Sequence, residues 1–339
     1  MATETPKRKI MMMQRYKKNN SLDKLQLTEE SAKNKGLSNL EKRARAKWIQ
    51  TPKLNKLLNH ATILGDNTKG YQRALNCATN LIYDNGKYKS HYCFNRACNV
   101  CNRIRTGKLI DTYEDDFNKL IEPYFVTLTA PNVKAEFLND EIKRMTKIIR
   151  KIANNGRKYG VLFKGVRKLE ITYNIDRADF HPHFHFIVEG EIDAGYLLEK
   201  WLKYNPESNR GAQDIKKANR DSLKELFKYA VKETGTSNRK KNDIRPIPIH
   251  ALHHIYETLK GKRTFQSMGN FAQGIETETE ETPILISEET NFEDSGILTW
   301  SDIKHNYVTA QGEKYSNYIP TKKDIKKRNK YEELPLLSG

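Results

Sequence analysis

The feature that most constrains this chain is a pair of alternating segments, "KLEITYN" at 168–174 and "HPHFHFIV" at 181–188. A period of two places successive side chains on opposite faces of a strand. The polar link "IDRADF" between them has no helical period, so an antiparallel hairpin is predicted. Leu169, Ile171, Phe184, Phe186 and Val188 then form one apolar face, and Glu170, Thr172, His183 and His185 form the other. Directly opposed residues on one face lie ~5 Å apart. Glu170 therefore meets His183 or His185, depending on register. One carboxylate and two imidazoles on a sheet face make a cation site that suits Mg²⁺ or Mn²⁺, and also Zn²⁺ or other transition metals. Alternating histidines alone are equally an ordinary polar sheet face; the carboxylate beside them favours the metal. His181 adds a third imidazole on that face and is assigned no metal role.

Charge says what kind of partner to expect. Lys and Arg number 60 against 42 Asp and Glu, a formal charge of +18 over 339 residues. Such an excess points to an anionic partner, most often nucleic acid. No run approaches the ~18 consecutive apolar residues of a membrane helix. "KRKIMMMQRYKK" is too short in its apolar part for a signal peptide, so a cytoplasmic location with no membrane partner is expected. "GDNTKGYQR" at 65–73 lacks phosphate-loop spacing, which argues against NTPase activity.

Composition divides the chain. Residues 1–45 are basic, poor in large apolar groups and expected to be flexible. Residues 46–110 hold all four cysteines, 120–271 carry the strongest strand and helix patterns, and 272–339 read as an acidic then basic tail. The acidic stretch 276–294 reads as a solvated linker.

Cys93, Cys98 and Cys101 lie in "HYCFNRACNVCNRIRTGK", with Cys77 upstream. In a reducing compartment this spacing favours chelation over disulfides, and four sulfurs suit a structural Zn²⁺. His91 is an alternative to Cys77 as fourth ligand. Arg103 and Arg105, with Arg96 and Lys108, would give this region a basic surface for phosphates.

"DSLKELFKYAVKETG" at 221–235 predicts a helix. Leu223, Leu226, Phe227, Ala230 and Val231 recur at helical spacing, with Gly235 as the C-cap. Glu225 and Tyr229 are four apart and share a face, flanked by Lys224, Lys228 and Lys232. By itself this is an ordinary amphipathic helix with a surface tyrosine.

Taken together, these motifs resemble a known family. "PHFHFIV" resembles the metal motif of the HUH endonucleases, more narrowly the initiators of rolling-circle plasmid replication. "FVTLTAPNV" at 125–133 resembles that family's first motif, a strand with Phe125, Thr127 and Thr129 on one face. Glu225, Tyr229 and Lys232 match its E-x-x-x-Y-x-x-K segment. "LKGKRTFQSMGNF" at 259–271 resembles a late basic element. The cysteine region is similar to one that commonly reads Cys-Pro-x-Cys, here "CNVC" without the proline.

The resemblance implies an α/β (α+β) fold. Its core would be a ferredoxin-like HUH domain, a central antiparallel sheet with helices on one face, preceded by a Cys-rich zinc knuckle. It implies Tyr229 as the DNA-attacking nucleophile and Glu225 as the activator of water. Glu170, His183 and His185 would hold Mg²⁺ or Mn²⁺, and Cys77, Cys93, Cys98 and Cys101 structural Zn²⁺. Lys228, Lys232, Lys260, Lys262, Arg263, Arg103 and Arg105 would contact DNA. The activity implied is strand-specific nicking and joining at a plasmid origin through a 5′-phosphotyrosine. Origin DNA, a host helicase and a polymerase would be the partners. Two alternatives stand beside it: a relaxase or transposase of the same superfamily, and a non-catalytic zinc-containing DNA-binding regulator. Many relaxases carry their tyrosine ahead of the histidine motif; here the best candidate follows it.

Overall fold

The computed structural model describes residues 37–84, 87–228, 231–236, 245–271 and 297–335. The chain divides into two compact units, Met1–Lys42 and Arg43–Gly339. The chain runs α1 (Asn39–Leu64), α2 (Lys69–Asn76), β1 (Asn80–Asp84), β2 (Lys87–Lys89) and α3 (Asn99–Asn118). It continues through β3 (Pro123–Thr129), α4 (Ala135–Arg157), β4 (Gly165–Asn174), β5 (Asp179–Glu189), α5 (Glu191–Tyr204) and β6 (Asp214–Lys217). Then come α6 (Arg220–Phe227), β7 (Thr234–Gly235), β8 (Arg245–Pro246), α7 (Ile249–Leu259) and β9 (Phe265–Met268). The last elements are β10 (Ile297–Ser301), β11 (Asn306–Val308) and α8 (Lys322–Glu332).

The central sheet is antiparallel, with strand order β6-β3-β5-β4-β9. The predicted hairpin is its middle, β4 against β5, with Glu170 opposite His183, Leu169 opposite Phe184 and Lys168 opposite His185. Thr127 and Thr129 of β3 oppose His185 and His183 from the other side. The elements β3-α4-β4-β5-α5-β6 follow a β-α-β-β-α-β order. The fold is thus a mixture of helices and antiparallel sheet, as the sequence indicated.

Phe184 and Phe186 are fully buried on the face that α4 and α5 cover, beside Leu138, Ile142 and Met145 of α4 and Trp201 of α5. Phe184 and Trp201 meet edge to face at 6.4 Å, and Trp201 Nε1 donates to the Thr129 carbonyl at 2.9 Å. Emptying the Phe184 position would cost about 3–5 kcal/mol.

The opposite face is not bare, contrary to an arrangement with helices on one side only. Phe125, Val166 and Ile187, which alternate with the buried set, pack with Tyr113 and Phe117 of α3 and with Leu223, Leu226 and Phe227 of α6. This second core covers one end of the face and leaves the His183–His185 end to polar groups.

The helix expected over 221–235 stops at Phe227. It starts on an Asn219–Ser222 capping box, and Lys228 turns extended at φ −57°, ψ 160°. Val231 is buried because its backbone bridges Ile171 of β4 in parallel, not because a helix continues. Gly235, expected as a C-cap, lies in β7; a Cβ there would stand 2.7 Å from the Ile175 side chain and 2.9 Å from the Tyr173 carbonyl.

Residues 297–335 belong to an ordered part of the protein. β10 pairs with β1, giving a second sheet of order β11-β10-β1-β2 that joins the cysteine region to the C-terminal part. Pro52 lies inside α1 and offers no N–H to the Trp48 carbonyl. Arg328 of α8 donates to that carbonyl at 2.6 Å and stacks over the Trp48 ring. The acidic stretch 276–294 lies outside the described residues.

Candidate metal centre and nucleophile segment

Strand pairing brings Glu170, His183 and His185 together at the polar end of the sheet. His183 Nε2 lies 3.6 Å from Glu170 Oε1, and His185 Nε2 lies 3.7 Å from Oε2. Both imidazoles therefore aim the same nitrogen at one carboxylate. Their other nitrogens are held from behind. His183 Nδ1 donates to the His181 carbonyl at 3.1 Å, which turns Nε2 toward the carboxylate. His185 Nδ1 sits 3.1 Å from Thr127 Oγ1. The Thr127 hydroxyl, visible in the sequence only as an alternating residue of β3, is thus part of the site. His181 stacks on His183 at 5.1 Å but does not join the convergent trio.

Two ammonium groups also reach Glu170. Lys168 Nζ stands 2.6 Å from Oε2, and Lys232 Nζ stands 2.7 Å from Oε1. Lys232 was expected to contact DNA, and here it closes on the carboxylate. Lys168 was not foreseen, because a lysine alternating along a strand reads as solvent-facing until the sheet is covered. Burial alone would raise the Glu170 carboxyl, but His183, Lys168 and Lys232 hold it far below the usual range. Burial pushes Lys168 below the ordinary lysine value, opposed by Glu170 and, at longer range, by Glu225. Burial and then His183 lower His185 to about 3 and His181 to about 4, so both rings are neutral.

The residues fit a divalent cation. Glu170 Oε1 is buried and accepts no aligned hydrogen bond, its Lys232 ion pair notwithstanding. Two donors about 2.1 Å from a shared ion lie about 3–3.6 Å apart. The Nε2–carboxylate separations are close to that spacing and too long for hydrogen bonds. Neutral imidazole with carboxylate is a donor set for Mg²⁺, Mn²⁺ or a later transition metal, and nothing in it selects one of these.

Glu225 lies on α6, its carboxylate paired with Lys228 just past the end of that helix and 43% exposed. Tyr229 lies outside the described residues. Its neighbours are placed. Lys228 ends α6, while Val231 lies beside Ile171 and Lys232 reaches Glu170.

The four cysteines gather as foreseen. Sγ of Cys77 lies 3.4 Å and Sγ of Cys93 3.6 Å from Sγ of Cys101, with Cys98 in the same cluster. A disulfide would hold two sulfurs at about 2.05 Å. Sulfurs around one tetrahedral zinc stand about 3.8 Å apart, given Zn–S bonds of about 2.3 Å. The set fits zinc, and His91 is not part of it. Burial would raise the Cys98 thiol, but hydrogen bonds from Cys101, Cys77 and Cys93 pull it well down, so one thiolate is already favoured. Buried Lys47 braces the cluster from α1, donating to the carbonyls of Leu75 and Cys77 at 2.9 Å.

The other expected DNA contacts are scattered. Lys260 and Arg263 are exposed, whereas Lys262 Nζ donates to the Thr258 carbonyl. Arg103 is half-buried. Arg105 donates to Asn102 at 2.9 Å and to the Phe94 carbonyl at 2.8 Å, and so shapes the cysteine loop.

Comparisons with known proteins identify the family of the chain. Residues 85–308 match a family model described as "Replication protein". A "Protein rep" of Staphylococcus aureus is 34% identical over 169 residues, covering 43% of this chain and 72% of that protein. A "Protein rep" of a Bacillus species is 31% identical over 152 residues, 40% of this chain and 47% of that protein. One from Lentilactobacillus hilgardii is 28% identical over 213 residues, 55% of this chain and 66% of that protein. No solved structure matches the chain. The chain belongs to the replication protein family, in keeping with the resemblance of its motifs to plasmid replication initiators.

Proposed function

We propose that the protein initiates rolling-circle replication of a plasmid by nicking and rejoining one DNA strand at the origin. One observation supports this reading: residues 231–236, which follow Tyr229 in the chain, bridge to β4, and Lys232 among them reaches Glu170, on which His183 and His185 converge. Those three side chains would hold Mg²⁺ or Mn²⁺. When bound, such an ion draws charge from the scissile phosphate and orients it for in-line attack.

The chain's own groups do the rest. Thr127 and the His181 carbonyl keep both imidazoles turned toward Glu170. The Tyr229 phenol, ordinarily protonated with a pKa of ~10, gives up its proton as its oxygen bonds to phosphorus. The bond from phosphorus to the 3′ oxygen breaks, and that oxygen leaves as a 3′-OH after taking a proton. The phosphotyrosine preserves the phosphodiester for rejoining without ATP. Exposed Lys260 and Arg263 would contact the backbone of the origin DNA. Family resemblance adds a host helicase and polymerase as partners. Among the described residues no helix is long and apolar enough to cross a membrane.

The test is a supercoiled plasmid carrying the protein's own replicon, incubated with full-length protein and Mn²⁺. Wild type should relax the plasmid and remain covalently attached to a 5′ end. Tyr229→Phe should do neither while still binding the plasmid. A Tyr229→Phe protein that nicks as wild type does would overturn the assignment.

A further inference from the structure

Lys232 and Glu233 are neighbours between the Val231 bridge and β7, at a bend in the chain, and their side chains reach different partners. Lys232 reaches Glu170. Glu233 reaches into a junction of three elements. Its Oε1 accepts from Lys53 of α1 and from the Tyr256 hydroxyl of α7 at 3.1 Å. Its Oε2 accepts from the Tyr331 hydroxyl of α8 at 2.7 Å. Its carbonyl accepts from Ile247 N at 3.1 Å. Lys53 is completely buried and makes a second bond, 2.8 Å to Asn99 Oδ1, and Asn99 stands between Cys98 and Cys101. Asn99 N in turn donates to Gln50 of α1 at 2.6 Å.

We propose that Glu233 is a positioning residue. It pins the register of residues 231–236 on β4, and so the placement of Tyr229 ahead of them, by tying that segment to the cysteine module through Lys53 and to α8 through Tyr331. The inference rests on Tyr229 being the nucleophile. The segment's own hold on β4 is two isolated bridges: one at Val231–Ile171, and one at Asn174–Thr236 made by Thr236 N to the Tyr173 carbonyl and Ile175 N to the Thr236 carbonyl, both at 3.0 Å. The two bridges span three residues of β4 and five of the segment, so the segment is irregular, and a slip would carry Lys232 away from Glu170. The carboxylate prevents this because it is matched on the far side by one buried cation and two hydroxyl donors. Burial, followed by the Glu233 charge, holds both tyrosine hydroxyls in their protonated, donating form. The cysteine module thus acts on the reaction through Cys98, Asn99 and Lys53, without touching DNA at the scissile bond.

The experiment compares full-length wild type with Glu233→Gln, Lys53→Met and the double variant, using the plasmid assay above. A Gln at 233 keeps one acceptor oxygen, so one tyrosine must turn to accept from its NH2, and it leaves the Lys53 ammonium buried without its counter-charge. Adduct formation in a single turnover should slow by about tenfold to a hundredfold in Glu233→Gln, with plasmid affinity and zinc content as in wild type. Amide exchange should quicken at Thr236 and Ile247. The double variant leaves no buried charge unmatched but also lacks the tie, so its rate should be about that of the slower single variant, well below wild type and faster than the two effects multiplied, a clear departure from additivity. Should Glu233→Gln fold poorly, Tyr331→Phe removes one hydroxyl and should slow the adduct step at unchanged affinity. Wild-type rates in Glu233→Gln and Tyr331→Phe, or a double variant as slow as the two single effects multiplied, would overturn the proposal. If wild type itself forms no adduct, the nicking reading fails instead. Unchanged exchange at Thr236 and Ile247 would then overturn the proposed clamp on its own.

Discussion

The Lys168 ammonium lies 2.6 Å from Glu170 Oε2, and both side chains are 1% exposed. A buried carboxylate with a fixed cation beside it is already neutralised when no metal is bound. This lets three prospective ligands converge without a lone buried charge, which would otherwise be costly. The same lysine repels any second cation that arrives. Lys168→Met keeps the length of the side chain and removes the repulsion. We expect Mn²⁺ to bind the variant at least about tenfold more tightly, since a unit charge a few ångströms away is felt strongly in a partly buried site. Calorimetric titration checks the direction; weaker binding would show that Lys168 chiefly orients Glu170.

How much of this site the sequence revealed depends on how local each cause is. The β4–β5 hairpin and its Glu170–His183 pairing are written in a period of two, so they could be read directly. Thr127 was placed on the right face, yet its bond to His185 requires knowing that β3 lies next to β5 and not next to β4. Lys168 carries no such local mark, because its burial comes from β9 and α6 closing over β4. The end of α6 was misread for a related reason. Val231 sits at a helical interval from Phe227, and burial by a parallel bridge to Ile171 leaves the same apolar mark in sequence as burial on a helix face. The Lys53–Glu233 link joins residues far apart in the chain and leaves no local pattern.

The cysteine cluster yields a prediction about stability. Metal affinity at such a site is folding free energy, because the ligands come together only in the folded chain. Protein purified under reducing conditions should carry about one zinc per chain. Cys98→Ser should lose most of it and should melt at a lower temperature, with protection from proteolysis falling first at residues 77–101. Elemental analysis and limited proteolysis check this; folded protein free of zinc would exclude the site.

Asp324 makes stability depend on pH. Its buried carboxylate takes Arg45 Nε at 2.7 Å, the Thr321 amide at 3.2 Å and the Tyr318 hydroxyl at 3.3 Å. Burial would raise its pKa, but Arg45 and Thr321 outweigh that and hold it below the ordinary aspartate value. A group depressed on folding stabilises the protein above its unfolded pKa of ~3.9 and loses that contribution as pH falls further. Asp324→Asn should therefore cost about 1–3 kcal/mol at neutral pH. The gap to wild type should narrow below pH ~4, once the native carboxyl is itself protonated. Urea unfolding at both pH values tests the sign, and a gap that widens in acid would refute it.

Glu225 bears on how the reaction ends. After one round, the regenerated origin must be cut again while Tyr229 is still bonded to the displaced strand. A carboxylate near the metal face can take a proton from water, so that hydroxide makes the second cut. Glu225 is suited to this by its place on α6. Its side chain is 43% exposed, paired among the described contacts with Lys228 just beyond the helix end, and its charge is felt by Lys168. The released 3′-OH then attacks the phosphotyrosine, frees the phenol and closes the circle. Glu225→Ala should consequently nick and form the covalent adduct at close to the wild-type rate, yet terminate poorly and leave products longer than one plasmid unit. Gel analysis of replication products, alongside single-turnover nicking, separates the two steps. Equal loss of nicking in Glu225→Ala and Tyr229→Phe, with the former folded and able to bind Mn²⁺, would move Glu225 into the first cleavage.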